Sequence, residues 1–404
     1  MSRAPAGDLA AVLRAVDACV DRERLLATAI ALIEVPSRTG EAGGALDRLA
    51  AILESDGFAV DRVPAGHPSA PAVATRLDTG RHGRTLQFDA HLDTVHLPFV
   101  PPRIEGELLR GSGSSDMKGG AAAAVEALRA ARDAGVLGAG SILLTAHDLH
   151  EAPWGRGEQL DRMILDGLHG DAVLIPEPLC DRLPIAGRGC ATWKTSFRRE
   201  GPAVHEVMRP AGAPHVAGAG ADFLLRLRDL DARLSARSDP LAGNESVFVG
   251  QIHSGEIYNQ LPQECWLEGT RRWLPGTPRE VAEKELERIV AETAKVWGVQ
   301  AKLEYRHIRD AYRLDTADPI VTSFRAAYDL TGGAALLDGS KPFVDDGNSF
   351  WALAGAAAIT HGPRAGGQHT VEEWASIDDL VRVARLYALT AAVYCGEDGG
   401  ASRT

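Results

Sequence analysis

The chain has few cysteines and no long apolar run, and both shortages limit what it can be. Its five cysteines are odd in number and form no Cys-x-x-Cys pair, so the sequence predicts reduced thiols rather than a disulfide framework or a zinc ribbon. No apolar run reaches the ~20 residues that a membrane-spanning helix needs, and we find no signal peptide. We therefore expect a cytoplasmic protein without a membrane partner.

Basic residues are fewer than acidic ones. Lys and Arg total 43 against 55 Asp and Glu, which gives a net charge of -12, and there is no long basic run. This balance disfavours nucleic acid as a partner. Hydrophobic residues make up 45% of the chain and charged residues 24%, which is typical of a globular protein rather than a disordered or fibrous one. A chain of 404 residues is too long for one hydrophobic core, so two domains are expected.

The first half alternates between strand and helix patterns. Short apolar runs at 72–77, 85–89, 141–146 and 172–175 predict strands, and the alanine-rich segment 119–134 predicts a helix between the second and the third of them. Strands that alternate with helices are typical of an α/β layer with a mostly parallel sheet. We therefore predict an α/β fold for this part of the chain.

The pattern changes near Gly187. Six segments follow in the order strand, helix, strand, strand, helix, strand: 193–199, 215–230, 246–252, 265–273, 277–297 and 300–307. This order is that of the ferredoxin-like split βαβ unit. The prediction is therefore a catalytic domain formed by 1–188 and 307–404, with an inserted α+β domain at 189–306.

Histidine and carboxylate residues follow the ends of the predicted strands. His91 and Asp93 come after the second strand, Glu151 after the third and Glu177 after the fourth. Open α/β sheets place their binding sites at these carboxyl ends. Because residues two apart in extended chain point the same way, Asp93 would orient the ring of a metal-bound His91. A buried histidine with satisfied hydrogen bonds is the alternative interpretation of His91.

Two glycine-rich loops contain further candidate ligands. Asp116 ends the loop that precedes the 119–134 helix, where it would either cap the helix or bridge two metal ions. The Walker spacing is absent, which disfavours a phosphate-binding loop. His369 lies in the second loop, before the last predicted helix.

In their order along the chain, these motifs resemble those of the M20 family of metallopeptidases and deacylases. The family's His-x-Asp-Thr-Val is present at 91–95, its Gly-x-x-Asp-Met-Lys-Gly-Gly at 113–120, its Glu-Pro at 177–178 and its late histidine at His369. The resemblance spans nearly the whole chain and implies a zinc-peptidase-like catalytic domain with an inserted dimerisation, or lid, domain. It also implies a homodimer.

The resemblance implies a centre with two divalent ions, zinc by preference and cobalt or manganese as alternatives. The implied ligands are His91, Asp116, Glu151, Glu177 and His369. Asp116 would bridge the ions, one of which would also bind His91 and Glu177, and the other Glu151 and His369. Imidazole and carboxylate groups are ligands that zinc accepts, and two ions together activate water and polarise a carbonyl group.

The inserted domain contains the residues that the resemblance assigns to substrate. Asn259-Gln-Leu-Pro and Arg272-Trp-Leu-Pro are similar to two family signatures. Arg272 would bind a substrate carboxylate, unless it is a solvated strand residue. His205 would stabilise the oxyanion across the dimer with help from Asn259, unless it is a surface histidine. Asn348 would contact substrate, and the expected substrate is a small molecule with a carboxylate and an amide.

The third motif departs from the family pattern. The family has Glu-Glu there, with the first glutamate as general base, whereas this chain has His150-Glu151. His150 would be a catalytic residue, with Asp93 and His205, or it would bind metal, because neighbouring cations disfavour its protonation. A shifted alignment would make Asp148 the base, and Glu158 is a weaker candidate.

Three functions follow from this departure. The chain is predicted to hydrolyse an amide bond of an N-acyl amino acid or small peptide. The alternatives are an enzyme of the same fold that rearranges, transfers or forms an amide, and a metal-binding homologue without turnover.

Overall fold

The computed structural model describes residues 9–396, which form two compact units. The first contains the described residues up to Ile185, Leu314–Gly339 and those from Ser349 onward, and the second contains Ala186–Arg313 and Ser340–Asn348. The helices are α1 Leu9–Asp17, α2 Arg22–Ile33, α3 Gly43–Ser55, α4 Lys118–Asp133, α5 Glu158–Leu165, α6 Val216–Leu234, α7 Arg279–Trp297, α8 Pro319–Thr331, α9 Asp346–Ala354 and α10 Ile377–Gly396.

Many short strands accompany the long ones. They are β1 Val60–Val63, β2 Ala72–Asp78, β3 Thr85–His91, β4 Arg103–Glu105, β5 Leu108–Arg110, β6 Ser141–His147, β7 Ala172–Ile175, β8 Arg182–Gly187, β9 Gly189–Arg198, β10 Val204–His205, β11 Ser238–Asp239, β12 Gly243–Asn244, β13 Ser246–Ser254, β14 Gln260–Leu261, β15 Glu264–Trp273, β16 Gln300–Arg309, β17 Tyr312–Arg313, β18 Leu337–Ser340, β19 Ala357–Thr360, β20 Ala365–Gly366 and β21 Trp374–Ser376.

The first unit is organised around a six-stranded sheet with the order β1-β2-β6-β3-β7-β19. Strand β3 runs parallel to β6 and β7, and β7 runs parallel to β19. Strands β2 and β1 continue one side of the sheet in antiparallel pairs. The predicted α/β fold with a mostly parallel sheet is therefore confirmed.

The central strands are buried along their length. Every residue of β6 is buried, and α4, rich in alanine, packs against α2 and α10. Because helices cover such a sheet, its strands are continuous apolar runs rather than alternating ones. His91 ends β3, its register partner His147 ends β6, and Glu177 lies two residues beyond β7. Parallel register thus gathers these polar residues at one edge of the sheet.

A small antiparallel sheet, which the sequence did not predict, has the order β20-β21-β5-β4. It pairs Trp374 with Arg110, and so joins the chain just before the Asp116 loop to the chain just after His369. Its strands have two or three residues, too few for an apolar period to be visible. Two distant glycine-rich loops are held together in this way.

The second unit has the predicted βαββαβ order. Its antiparallel sheet is β13-β15-β9-β16, and α6 and α7 pack against it around Trp193, Phe223 and Leu286. Arg271 of β15 is fully buried and forms ion pairs with Glu245 (2.6 Å) and Glu285 (2.8 Å). The ferredoxin-like architecture is thus confirmed for this unit.

Charged residues interrupt the long helices. The 20-residue helix α10 begins with Asp378 and Asp379 and continues through Arg382 and Arg385. Between residues 9 and 396, no helix is both long enough and apolar enough to cross a bilayer.

A buried histidine follows β19. His361 is fully buried, and neither ring nitrogen has a hydrogen-bond partner among the described residues. The rings of Phe324 and Tyr328 lie 5.1 and 5.6 Å from its own. Burial, together with the charge of Arg382, lowers the pKa of His361 to about 3. The folded protein therefore keeps this imidazole neutral.

We expect His361 to destabilise the metal-free protein in acid. Below pH ~6.5 the unfolded chain binds a proton at this histidine, whereas the folded chain does not, so the free energy of unfolding falls as pH falls. Relative to that of His361→Phe, the free energy of unfolding of the wild type should fall by up to about 1.4 kcal/mol for each unit that the pH falls between ~6.5 and ~3. Urea denaturation at several pH values in EDTA measures this slope. The exposed His82→Gln variant should keep the wild-type slope, and an unchanged slope in His361→Phe would contradict the assignment.

Candidate metal centre

His91 supplies a lone pair to a buried cluster of carboxylates. Its Nδ1 lies 3.0 Å from the carbonyl oxygen of Asp93. Because a carbonyl oxygen only accepts, Nδ1 carries a proton, and Nε2 is the nitrogen that can bind a cation or, without one, a second proton. This Nε2 lies 3.2 Å from Oδ1 of Asp116 and 3.3 Å from Oε1 of Glu177. A lone pair that faces two carboxylates is favourable only with a cation or a proton between them.

The Asp93 carboxylate anchors the third motif. Its Oδ2 accepts hydrogen bonds from the backbone N–H groups of His150 (3.1 Å) and Glu151 (3.0 Å), and Asp93 is fully buried. Leu149, just before them, has a left-handed backbone with φ of 66°. Such conformations are costly for residues other than glycine and are concentrated at functional sites. The Asp93 backbone thus orients His91, while its side chain fixes the loop with Glu151.

Asp116 lies between two histidines. Its Oδ1 faces His91, and its Oδ2 lies 3.4 Å from Nε2 of His369. The same Nε2 lies 3.1 Å from Oε2 of Glu151. The backbone of His369 has a left-handed conformation, with φ of 58°. Its side chain is 56% exposed, whereas those of Glu151 and Glu177 are buried. The structure therefore brings all five predicted ligands together, with Asp116 in the middle.

Protons offset the negative charge of this cluster when no cation is present. Burial and the charge of Asp116 raise the pKa of Glu177 to about 7. Hydrogen bonds to Asp116 and Glu151 raise the pKa of His369 to about 10. Burial opposes ionisation of Asp116, but its bonds to His369 and His91 hold its pKa well below the usual range. Divalent ions would replace these protons, so metal binding would release protons.

His150 also lies in the cluster. Its ring is stacked on that of His91, with centroids 3.9 Å apart and planes 5° from parallel. Its Nε2 lies 3.9 Å from Oε1 of Glu177. Asp148, the alternative base, is elsewhere: it is fully buried, and its carboxylate accepts from the backbone N–H groups of Gly40 (2.9 Å) and Ala42 (3.0 Å).

Two buried residues at this site were missed in the sequence. Glu373 accepts hydrogen bonds from the backbone N–H groups of Ser115 and Asp116, each at 3.2 Å, and burial with the charge of Asp116 raises its pKa to about 7. Lys118 donates to the carbonyl oxygen of Val35 at 2.9 Å, and burial lowers its pKa to about 7. Glu373 follows His369 by four residues, but no sequence pattern shows that it reaches the Asp116 loop.

The second unit contains the residues predicted to bind substrate. The side-chain amide of Asn259 donates to Nε2 of His205 at 3.0 Å, and His205 is about half exposed. Nη1 of Arg272 is buried without a hydrogen-bond partner among the described residues. Asn348 is buried, and its amide donates to the carbonyl oxygens of Asp310 (2.6 Å) and Arg188 (3.3 Å). The predicted substrate contact of Asn348 stays a prediction.

The donor set fits divalent metal ions. His91, Asp116 and Glu151 have ligand atoms within 4.8 Å of one another, and so do His91, His150 and Glu177. Oδ1 of Asp116 is buried and faces Nε2 of His91 across 3.2 Å, a position that suits a metal ligand. Mixed imidazole and carboxylate donors suit zinc, cobalt and manganese.

Comparison with known protein families agrees with this geometry. Residues 88–392 match the model of peptidase family M20/M25/M40, which is more than half of the chain. The chain therefore belongs to this family.

Curated relatives include succinyl-diaminopimelate desuccinylases. The protein of Rhizorhabdus wittichii is 34% identical over 217 residues, which cover 50% of this chain and 55% of the relative. The match thus spans about half the length of that relative. The protein of Methylobacterium nodulans is 28% identical in an alignment 410 positions long, which covers 91% of this chain and 96% of the relative.

Solved structures of low sequence identity share the fold. A tripeptidase from Staphylococcus aureus has a TM-score of 0.79 at 18% identity, and the match covers 94% of this chain and 100% of the tripeptidase. A dinuclear metal-binding M20 peptidase from Bacillus subtilis has a TM-score of 0.69 at 14% identity, and the match covers 93% of this chain and 98% of the peptidase.

Proposed function

We propose that the protein is a dinuclear metallohydrolase that cleaves the amide bond of an N-acyl amino acid or small peptide. The observation that carries the proposal is Asp116, whose two carboxylate oxygens face two different histidines. One ion would bind His91, Glu177 and Asp116, and the second would bind Asp116, Glu151 and His369. Zinc is the proposed metal, with cobalt or manganese as substitutes.

Each group near the centre has a distinct proposed task. Two bound ions supply a Lewis acid for the scissile carbonyl and lower the pKa of a water molecule. Asp93 holds the loop that presents Glu151 and fixes the tautomer of His91 through its carbonyl oxygen. Both oxygens of Asp148 are occupied by backbone donors, which argues against a role as base. Glu158, the weaker candidate, is at the start of α5 and forms an ion pair with Arg156 at 3.0 Å. His150 is thus the remaining candidate, at the position of the family's base.

The proposed substrate contains a carboxylate as well as an amide. Arg272 supports this assignment because Nη1 is buried without a partner, and a guanidinium group matches a carboxylate in shape and charge. Its neighbour Arg271 already forms ion pairs with Glu245 and Glu285, so it is not the candidate for binding substrate. The desuccinylases among the relatives make N-succinyl amino acids the first compounds to examine.

We propose a homodimer in which His205 and Asn259 assist the partner's reaction. Their mutual hydrogen bond supports a joint role, because the amide of Asn259 fixes the orientation of the exposed imidazole. Apolar side chains on the edge strand β13, Phe248 and Ile252, and Leu225 of α6 are exposed. An edge strand and apolar surface of this kind are favourable for association with a second copy.

We expect the zinc-loaded protein to release free amine from some of a panel of N-succinyl and N-acetyl amino acids and dipeptides. Glu151→Ala should abolish this release because it removes a metal ligand, whereas the exposed Glu372→Gln should retain it. Amine release is followed with a fluorogenic amine reagent. If two zinc ions bind per chain but no compound is cleaved, the non-hydrolytic alternative, which the histidine at position 150 favours, replaces the proposal.

Arg272→Met should raise KM for a substrate with a free carboxylate by roughly 10- to 100-fold, the effect of losing one hydrogen bond to a charged group. The corresponding carboxamide should be cleaved equally by both proteins. Steady-state kinetics on the matched pair of compounds measure the difference. Arg306→Met, an exposed change in the same sheet, is the control, and an equal loss on both compounds would rule out carboxylate recognition by Arg272.

Mixing two inactive variants tests action across the dimer. His205→Ala and Glu151→Ala subunits should each be impaired, and their mixture should partly recover activity, because a mixed dimer has one intact metal centre opposite one intact His205. Activity is measured after subunit exchange. No recovery, despite mixed dimers seen by native mass spectrometry, would show that His205 does not act across the dimer.

A further inference from the structure

An aromatic stack lies close to the candidate metal centre, within the first unit. The rings of His96 and Trp154 have centroids 4.1 Å apart and planes 6° from parallel. His96 follows Asp93 by three residues, and Trp154 follows Glu151 by three. Since three residues of chain span at most about 11 Å, both rings lie near the carboxylate cluster. The stack thus joins two of the loops that hold the centre together.

Hydrogen bonds fix the imidazole side of this stack. Nε2 of His96 donates to the carbonyl oxygen of Thr39 at 3.0 Å, since a carbonyl oxygen only accepts. The N–H group of Thr39 in turn donates to the carbonyl oxygen of Thr94 at 3.1 Å. One face of the indole therefore lies against a ring whose own orientation is fixed.

A tight turn fixes the indole side. The N–H group of Gly155 donates to the carbonyl oxygen of Glu151 at 2.7 Å, and that of Gly157 donates to the carbonyl oxygen of Leu149 at 2.6 Å. A Cβ atom at position 155 would lie 2.2 Å from the carbonyl oxygen of Leu149, so the turn closes this tightly only with glycine. Trp154 therefore belongs to a closed turn that begins at a candidate metal ligand.

Despite these constraints, Trp154 is 45% exposed. His96 covers one face of the indole, so the exposed area belongs to the other face and the edges. A single exposed apolar residue needs no functional explanation, but this one is fixed in place beside a set of metal donors. Indole rings bind other aromatic rings favourably, and small-molecule sites typically combine such apolar surfaces with a few polar groups.

We infer that Trp154 is a specificity-determining residue that stacks on an aromatic ring of the substrate. The inference rests on the proposed amide hydrolysis and narrows its substrates to N-acyl amino acids or dipeptides that contain such a ring. The ring belongs to the acyl group or to the amino-acid side chain, and both lie within a few bonds of the scissile amide. The succinyl group that the relatives suggest has no ring, so the two expectations can be compared directly.

Two matched pairs of compounds test the inference on the zinc-loaded protein. N-benzoylglycine and N-acetylglycine differ in the acyl group, whereas N-acetylphenylalanine and N-acetylalanine differ in the side chain. In one of these pairs, wild-type protein should cleave the aromatic member with the higher kcat/KM. Trp154→Ala should lower that value by roughly 2- to 10-fold, the effect of losing one aromatic pair, and should leave the other member unchanged. Trp154→Phe should keep most of the preference.

A purely structural role of Trp154 would give a different result. Trp154→Ala would then lower kcat/KM equally for both members of a pair, which would overturn the inference while the proposed hydrolysis stands. Wild-type protein that cleaves only aliphatic compounds, or that shows no preference in either pair, would overturn it without any variant. Leu165→Ala, an exposed change at the end of α5, is the control and should alter neither pair.

Binding without turnover separates this inference from the proposed reaction. In EDTA-treated protein, saturation-transfer NMR should detect contact with the ring protons of N-benzoylglycine or N-acetylphenylalanine, and the signal should weaken in Trp154→Ala. If this weakening is seen but the zinc form cleaves no compound, the proposed hydrolysis fails while the stacking stands. A ring signal of equal strength in both proteins would overturn the stacking.

Discussion

Three carboxylates lie in one cluster, those of Glu151 and Glu177 beyond the carboxyl ends of parallel strands and that of Asp116 in the loop before α4, and their charge must be balanced. Without metal, protons balance it, as the raised pKa values of Glu177 and His369 show. Isolated charges at such depth are costly, so a bound ion or a proton would stabilise the cluster. We therefore expect metal binding, proton release and stability to be linked in this protein.

The surrounding loops are arranged to hold these charges in place. Asp93 and Glu373 each bind two consecutive backbone N–H groups, one in the loop of Glu151 and the other in the loop of Asp116. A four-stranded antiparallel sheet joins the segments next to Asp116 and His369. Leu149 and His369 have left-handed backbone conformations, which are unfavourable for residues other than glycine. The surrounding contacts of the site therefore stabilise conformations that these residues would not adopt alone.

The long strands and helices were predictable from the sequence because the spacing of their apolar residues is clear. The strands at 72–78, 85–91, 141–147 and 172–175 differ from the predicted ranges by two residues at most. The five candidate ligands could be named from ordered motifs, since each comes at or after a strand end or in a glycine-rich loop. The two- and three-residue strands, the bonds of Glu373 and the stacking of His150 on His91 were not predictable, because each depends on contacts between loops distant in sequence.

The most direct test of the dinuclear centre is anomalous diffraction from crystals grown with zinc and measured on both sides of the zinc edge. The account predicts two peaks on either side of the Asp116 carboxylate, one beside His91 and Glu177 and the other beside Glu151 and His369. A single peak, or zinc bound only elsewhere, would contradict it.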